Sequence, residues 1–221
     1  MLKKIASVLG SLAMLAAAPV AAADLIIADS AMYDPAPAAN WTGFYAGAFV
    51  GGHAGTVIQY SCSGTCSGNF PLNGLIGGLE AGYDYQFDPN WVIGGFVQLP
   101  LLKPTGSVTI GGGVFTVEPQ WAINGGVRVG YAYENFLPYA FVGVAVVNTK
   151  VTSSFNGSAP TATHVGLSAG VGLEAVLADN ITIDGRYTYT TLGAQTYNWG
   201  GGASQYGENA HNFTVGLKYR F

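Results

Sequence analysis

Three short polar turns constrain this chain more than any other feature. Asp88-Pro89-Asn90, Glu134-Asn135-Phe136 and Ala178-Asp179-Asn180 recur at intervals of 46 residues (Pro89 to Asn135) and 44 residues (Asn135 to Asp179). The first and third carry strong turn chemistry and the second is weaker. Between them lie longer stretches rich in Gly, Ser, Thr and Asn, at about 54–73, 102–118, 150–162 and 193–208. A period of this size marks a repeated unit, here a hairpin. Strands are predicted at 43–53, 74–87, 91–101, 119–133, 137–149, 163–177, 181–192 and 209–221. There are eight of them, and each reaches the roughly 9–11 residues that cross a hydrocarbon core at a steep tilt. Short turns on one side and long loops on the other are expected of an eight-stranded antiparallel transmembrane β-barrel, with turns in the periplasm and loops outside.

Alternation supports strands. Phe213, Val215, Leu217, Tyr219 and Phe221 share one face of the last segment, while Asn212, Thr214, Gly216, Lys218 and Arg220 share the other. The second, fourth, sixth and seventh segments alternate likewise. The first, third and fifth do not declare a face, since Val142, Val144 and Val146 are as apolar as Phe141 and Ala145. An ordinary sheet also alternates, so the polar face decides. Only 9% of residues are charged, against roughly 25% in a soluble domain, and 33 of the 221 residues are Gly. Those faces carry glycines with a few spaced charges: Glu80, Asp84, Glu174 and Asp184 against Arg128, Arg186, Lys218 and Arg220. Four acids with four bases suit a paired network in a confined lumen, where an unpaired charge is expensive. The aromatics Trp41, Phe44, Tyr45, Tyr83, Tyr85, Phe87, Trp91, Tyr131, Tyr133, Tyr139, Tyr219 and Phe221 cluster toward the predicted turn end of the strands. A girdle at the membrane interface would use them.

The N-terminus adds a compartment. Lys3 and Lys4, the apolar run Ile5–Ala18 and the small residues Ala21-Ala22-Ala23 read as a signal peptide over 1–23. Residues 24–40, with Pro35 and Pro37, read as an extended linker, leaving 41–221 as the barrel. A sequence pI of about 5.1 with eight scattered bases argues against nucleic-acid partners.

At this point the residues resemble a known group. Asn40-Trp41-Thr42-Gly43-Phe44-Tyr45-Ala46-Gly47 is similar to the opening strand of small Gram-negative outer-membrane β-barrels, the porin-like or OmpA-like immunogenic surface proteins. Thr214, Gly216, Tyr219 and Phe221 resemble the C-terminal signal that such barrels present to the barrel-assembly machinery. The resemblance covers 41–221. It implies an outer-membrane location among lipids and lipopolysaccharide and a structural or surface-antigen role. Fold does not fix activity.

Candidate chemistry is sparse. Cys62 and Cys66 are expected to form a disulfide in the first loop, as an oxidising compartment permits. His164 and Ser168 share a face but stand four residues apart, about 13 Å along a strand, too far for a nucleophile and its base. No enzyme is expected. Tyr60, Tyr197, Tyr206 and His53 are conceivable loop ligands for haemin but form no motif, and no metal site or cofactor is predicted. The inward charges leave a narrow polar path as the alternative function, passing small solutes.

Overall fold

The computed structural model describes residues 39–62, 68–110, 113–154, 157–198 and 202–221. The predicted signal peptide, nearly all of the linker, Cys66 and the Cys62 side chain lie outside them. The elements are β1 (Gly43–Cys62), β2 (Phe70–Gln86), β3 (Trp91–Leu102), β4 (Gly106–Ile110), β5 (Gly113–Tyr131), β6 (Phe136–Ser153), β7 (Thr161–Ala178), β8 (Ile181–Asn198) and β9 (Ala203–Arg220). Every ladder is antiparallel. β1 pairs with both β2 and β9, and β3 pairs with β5 as well as β2, so the sheet closes on itself. β3 and β4 both lie along β5, β3 at its lower part and β4 at its upper part. They are two pieces of one stave, interrupted at Lys103-Pro104-Thr105. The barrel therefore has eight staves.

In the lower part, nearest the short turns, the outer face is apolar. Leu79, Ile93, Val127, Val142, Val171 and Val215 are all exposed there. Phe44, Tyr83, Trp91, Tyr131, Tyr219 and Phe221 form a ring of aromatics near the turns, with Phe44 against Tyr83 at 4.7 Å and Trp91 against Tyr131 at 5.4 Å between ring centroids. Such a ring belongs at a membrane interface. The unresolved segments now have faces: in β6 Leu137, Tyr139 and Phe141 point inward, and Val142 and Val144 outward.

Two expectations are corrected. Trp41, Tyr45 and Tyr139 are not in the girdle; all three are buried in the lumen. Register explains this for the tyrosines. Tyr45 pairs with Gly82 and Tyr139 with Gly172, so each ring lies over a position without a side chain. The strands are also longer than predicted, 17–20 residues in seven of the eight staves. Much of each expected loop is strand. Above the apolar band the alternation continues with its sense reversed: Val57, Phe70, Leu72, Val117, Val151 and Tyr197 point inward and pack together, while Thr56, Asn73, Ser107, Thr163, Asn198 and Gln205 face out. Reading Gly, Ser and Thr as loop signals missed this, because the polar residues there are the outer face of a strand.

Candidate functional site

The lumen is filled in tiers, and strand register decides what meets what. At the base Trp41, Val92, Ala132 and Leu137 form a buried apolar floor. Above it the eight predicted charges lie together. Arg128 donates from Nε to Asp84 Oδ1 at 2.8 Å and from Nη1 to Glu174 Oε2 at 3.0 Å. Arg186 clamps Glu80 with two bonds of 2.6 and 2.9 Å and stands 3.3 Å from Asp184. Arg220 bonds Asp84 and the Trp41 carbonyl. Lys218 Nζ joins the two groups, 2.9 Å from Glu174, 3.2 Å from Glu80 and 3.3 Å from Asp184. Forked guanidinium–carboxylate bonds of this kind are among the stronger polar contacts.

Two glycines make these pairs possible. Gly94 lies between Asp84 on β2 and Arg128 on β5, and Gly47 lies between Glu80 on β2 and Lys218 on β9. The paired side chains thus reach each other across an intervening strand. A Cβ at Gly94 would strike Asp84 Oδ1, and one at Gly47 would press on Lys218 Cγ at 2.9 Å. Glu174 and Asp184 are direct cross-strand neighbours, an arrangement that repels unless a cation bridges it, as Lys218 does.

Uncharged groups complete the tier, and sequence reasoning missed them. Tyr139 donates to Asp184 at 2.6 Å and accepts from Arg186 Nε at 2.8 Å. Thr182 donates to Glu174 at 2.7 Å. The Arg128 guanidinium stands over the Tyr45 and Tyr139 rings at 4.8 and 4.9 Å, and that of Arg186 over Phe96 at 5.1 Å. The available signal was parity. Once Arg128 is placed inside, its partners in register assign Phe141 inward, and Tyr139 with it. Above the charges a row of amides continues: Gln98 donates to Glu80 at 2.7 Å, Asn124 to Gln98 at 3.2 Å, and Ser168 to Asn124 at 2.9 Å.

Higher still, a cavity of about 100 Å³ opens between the amide row and the apolar cap. His53 lines it, with Nδ1 2.7 Å from Asn212 Oδ1 and Nε2 2.8 Å from Glu208 Oε1. His164 Nε2 is 2.8 Å from the Tyr197 hydroxyl, so His164 and Ser168 have separate partners. Of the conceivable haemin ligands Tyr197 and Tyr206 meet inside with ring centroids 6.0 Å apart, while His53 is held by Asn212 and Glu208 and Tyr60 is on the outer face, so the four do not meet at one point. Among the described residues no group of three or more His, Cys, Asp or Glu could hold a metal ion. Thr214 and Gly216 face the lumen, and Tyr219 and Phe221 face outward at the base.

Comparison with known proteins agrees with this construction. The profile of the outer membrane protein beta-barrel domain matches residues 10–221. The 31 kDa outer-membrane immunogenic protein of Brucella melitensis is 29% identical over 97% of this chain and 98% of its own length. The 22 kDa outer membrane protein of Rhizobium leguminosarum is 30% identical over 83% of this chain and 80% of its own. Among solved structures, Neisserial surface protein A overlays with a TM-score of 0.53 at 16% identity, covering 81% of this chain and 98% of that one, a likeness of fold alone. Closed staves, an apolar outer band and the profile match lead to one conclusion: the chain is an outer-membrane protein and belongs to the outer membrane protein beta-barrel domain family.

Proposed function

We propose that this protein is a surface-interaction barrel, a rigid stand presenting its extracellular turns, rather than a pore. The observation that carries this reading is the charged tier. Arg128, Asp84, Glu174 and Lys218 are each no more than 4% exposed and bonded across the lumen. An eight-stranded barrel is just wide enough for its side chains to fill it, and here they meet in the middle. The Trp41 floor lies directly below. Recognition then falls to the turns between β1 and β2, β6 and β7, and β8 and β9, since loops on a rigid scaffold commonly carry binding. The Brucella relative's name as an immunogenic protein supports a surface-antigen role here too.

The same reading has residues 1–23 removed on export and 24–40 as a spacer. It has Thr214, Gly216, Tyr219 and Phe221 engaging the assembly machinery, and a Cys62–Cys66 bridge stiffening the first turn. Lipids and lipopolysaccharide surround the outer face. No catalytic role is assigned.

The test is conductance. Folded protein inserted into a planar bilayer is expected to give no discrete current steps at any of several voltages and salts. Reproducible steps whose ion preference changes on Arg128→Gln or Arg186→Gln would replace this reading with passage of small solutes.

A further inference from the structure

The barrel wall is not continuous. The β3–β5 ladder ends at Gln98↔Asn124, and pairing with β5 resumes only at Gly106↔Val117 on β4. Among the described residues no ladder joins 99–105 to 118–123, and Lys103 Nζ donates to the Gln120 carbonyl across the gap. On its other side, β2 pairs with β3 up to Gly77↔Leu102, and no ladder joins its upper part, 70–76, to β4. That seam is closed by packing: a Cβ at Gly74 would sit 3.0 Å from Pro104 Cβ, and one at Gly106 would sit 2.6 Å from Leu72 Cδ1. Prolines explain the interruption. Pro100, Pro104 and Pro119 have no N–H to give, and a register shift follows between Pro119 and Trp121.

The break has a height and a neighbour. A strand tilted about 40° climbs roughly 2.6 Å per residue. Leu99 thus stands about 20 Å above Trp91 and its girdle, inside the outer half of an apolar band about 25 Å tall. Broken ladder at that depth is tolerated where the backbone lines a cavity. It does so here, since Pro100, Lys103, Pro104 and Pro119 all line the 100 Å³ cavity. Ile123 also lines it although its side chain is 37% exposed on the lipid face. A residue on both surfaces marks where the cavity reaches the wall.

We propose that this break is a lateral port. Through it the cavity takes small neutral alcohols from the outer leaflet. The size follows from the volume, since about 100 Å³ is some two-thirds of the roughly 150 Å³ that takes up benzene, which leaves room for an alcohol of a few carbons. The apolar body rests on Phe49, Leu72, Ile76 and Ala122. The class of the polar end follows from Glu208, which lines the cavity with Oε1 held 2.8 Å from His53 Nε2, beside Thr190 and with Lys103 on the same lining. Glu208 accepts a hydrogen bond from a hydroxyl, and a lining that holds both Glu208 and Lys103 suits a neutral group better than an ion. The charged tier below makes the cavity a dead end, so it is a binding site and not a passage. It is independent of what the extracellular turns recognise.

The test uses the full chain folded in lipid nanodiscs, with trifluoroethanol followed by fluorine NMR and protein-free nanodiscs correcting for partition. Saturable binding at least tenfold tighter than that of trifluoroacetate is expected, with Glu208→Gln narrowing that ratio. Leu99→Trp, on the lipid face of the break and outside the cavity lining, should slow exchange at least tenfold while leaving Kd within about twofold. Ile123→Trp, where the cavity reaches the wall, repeats the exchange measurement alone if Leu99→Trp does not fold. Val151→Trp in the extracellular cap should leave exchange unchanged. Absence of saturable trifluoroethanol binding would overturn the site. Exchange slowed by Val151→Trp and not by the port variants would overturn the port, because entry would then be through the aqueous mouth.

Discussion

The lower and upper parts of this barrel are built by the same strands on opposite rules. In the lower part, β9 sends Lys218 and Arg220 inward and Leu217 and Tyr219 outward. Some ten residues further along, the same strand sends Tyr206 inward against Tyr197 and Gln205 outward. The period of two never changes; the solvent does. Where lipid surrounds the wall, apolar side chains face out and the lumen holds the charges, which must then satisfy one another. Where water surrounds it, the apolar side chains turn in and close over the lumen as in a soluble barrel. His211, ringed by Tyr187 and Tyr189 on the outer face, marks the change.

The comparison is broken most severely in the charged tier. Arg186→Glu removes both bonds to Glu80 and places a third carboxylate beside Glu80 and Asp184. Stripping one partner from a buried pair costs about 3–5 kcal/mol, and the reversed charge should reach the top of that range. Lys150→Glu, a charge reversal in the extracellular part, is expected to cost under about 1 kcal/mol. Urea unfolding in detergent micelles reads the difference, and equal resistance of the two variants would mean that the tier is not what rigidifies the barrel.

The outer faces give the next contrast. Val215→Arg puts a cation against hydrocarbon and should cost about 2–4 kcal/mol when the protein is folded into bilayers. Thr56→Arg sits on the outer face of the same wall above the apolar band and should change stability by less than about 0.5 kcal/mol. A comparable loss at both positions would move the membrane boundary upward past the change at His211. Leu72→Ala then probes the cap from inside. Leu72 is 2% exposed and packs with Phe70 and Val117, so about 2 kcal/mol should go, the low end for such truncations because a thin cap can collapse.

These contrasts also explain what was legible in the sequence. Lys218, Arg220, Glu174 and Asp184 could be assigned to the lumen because their neighbours in sequence are uniformly apolar. The longer reach of the strands could not be read from 54–73 or 102–118. There the apolar set moves to the other parity just as the polar residues begin to resemble loop composition. Tyr45 and Tyr139 were misassigned for a related reason. An aromatic near a turn suits an interface on general grounds, and only register places Gly82 and Gly172 beneath those rings. Which cation meets which carboxylate was likewise invisible, because Gly47 and Gly94 act from strands that carry no charge of their own.

The smallest effect tests how firmly the lower part is determined. The hairpin between β5 and β6 closes through Tyr133 and Phe136, which exchange two backbone bonds of 2.8 Å. Glu134 therefore sits at the first central position of a two-residue turn, with φ at 51°. Left-handed backbone disfavours a residue with a Cβ by roughly 1–2 kcal/mol, and glycine is the usual occupant of such a position. Glutamate persists there because the rigid ladders on either side hold the turn closed. Glu134→Gly should relieve the strain but loosen the unfolded chain, leaving a net gain of about 0.5–1 kcal/mol in the urea midpoint analysis with no change in slope. No gain would mean that the Glu134 side chain returns at the membrane surface what its backbone conformation loses, and that the turn, unlike the tier above it, is set by the interface rather than by the barrel.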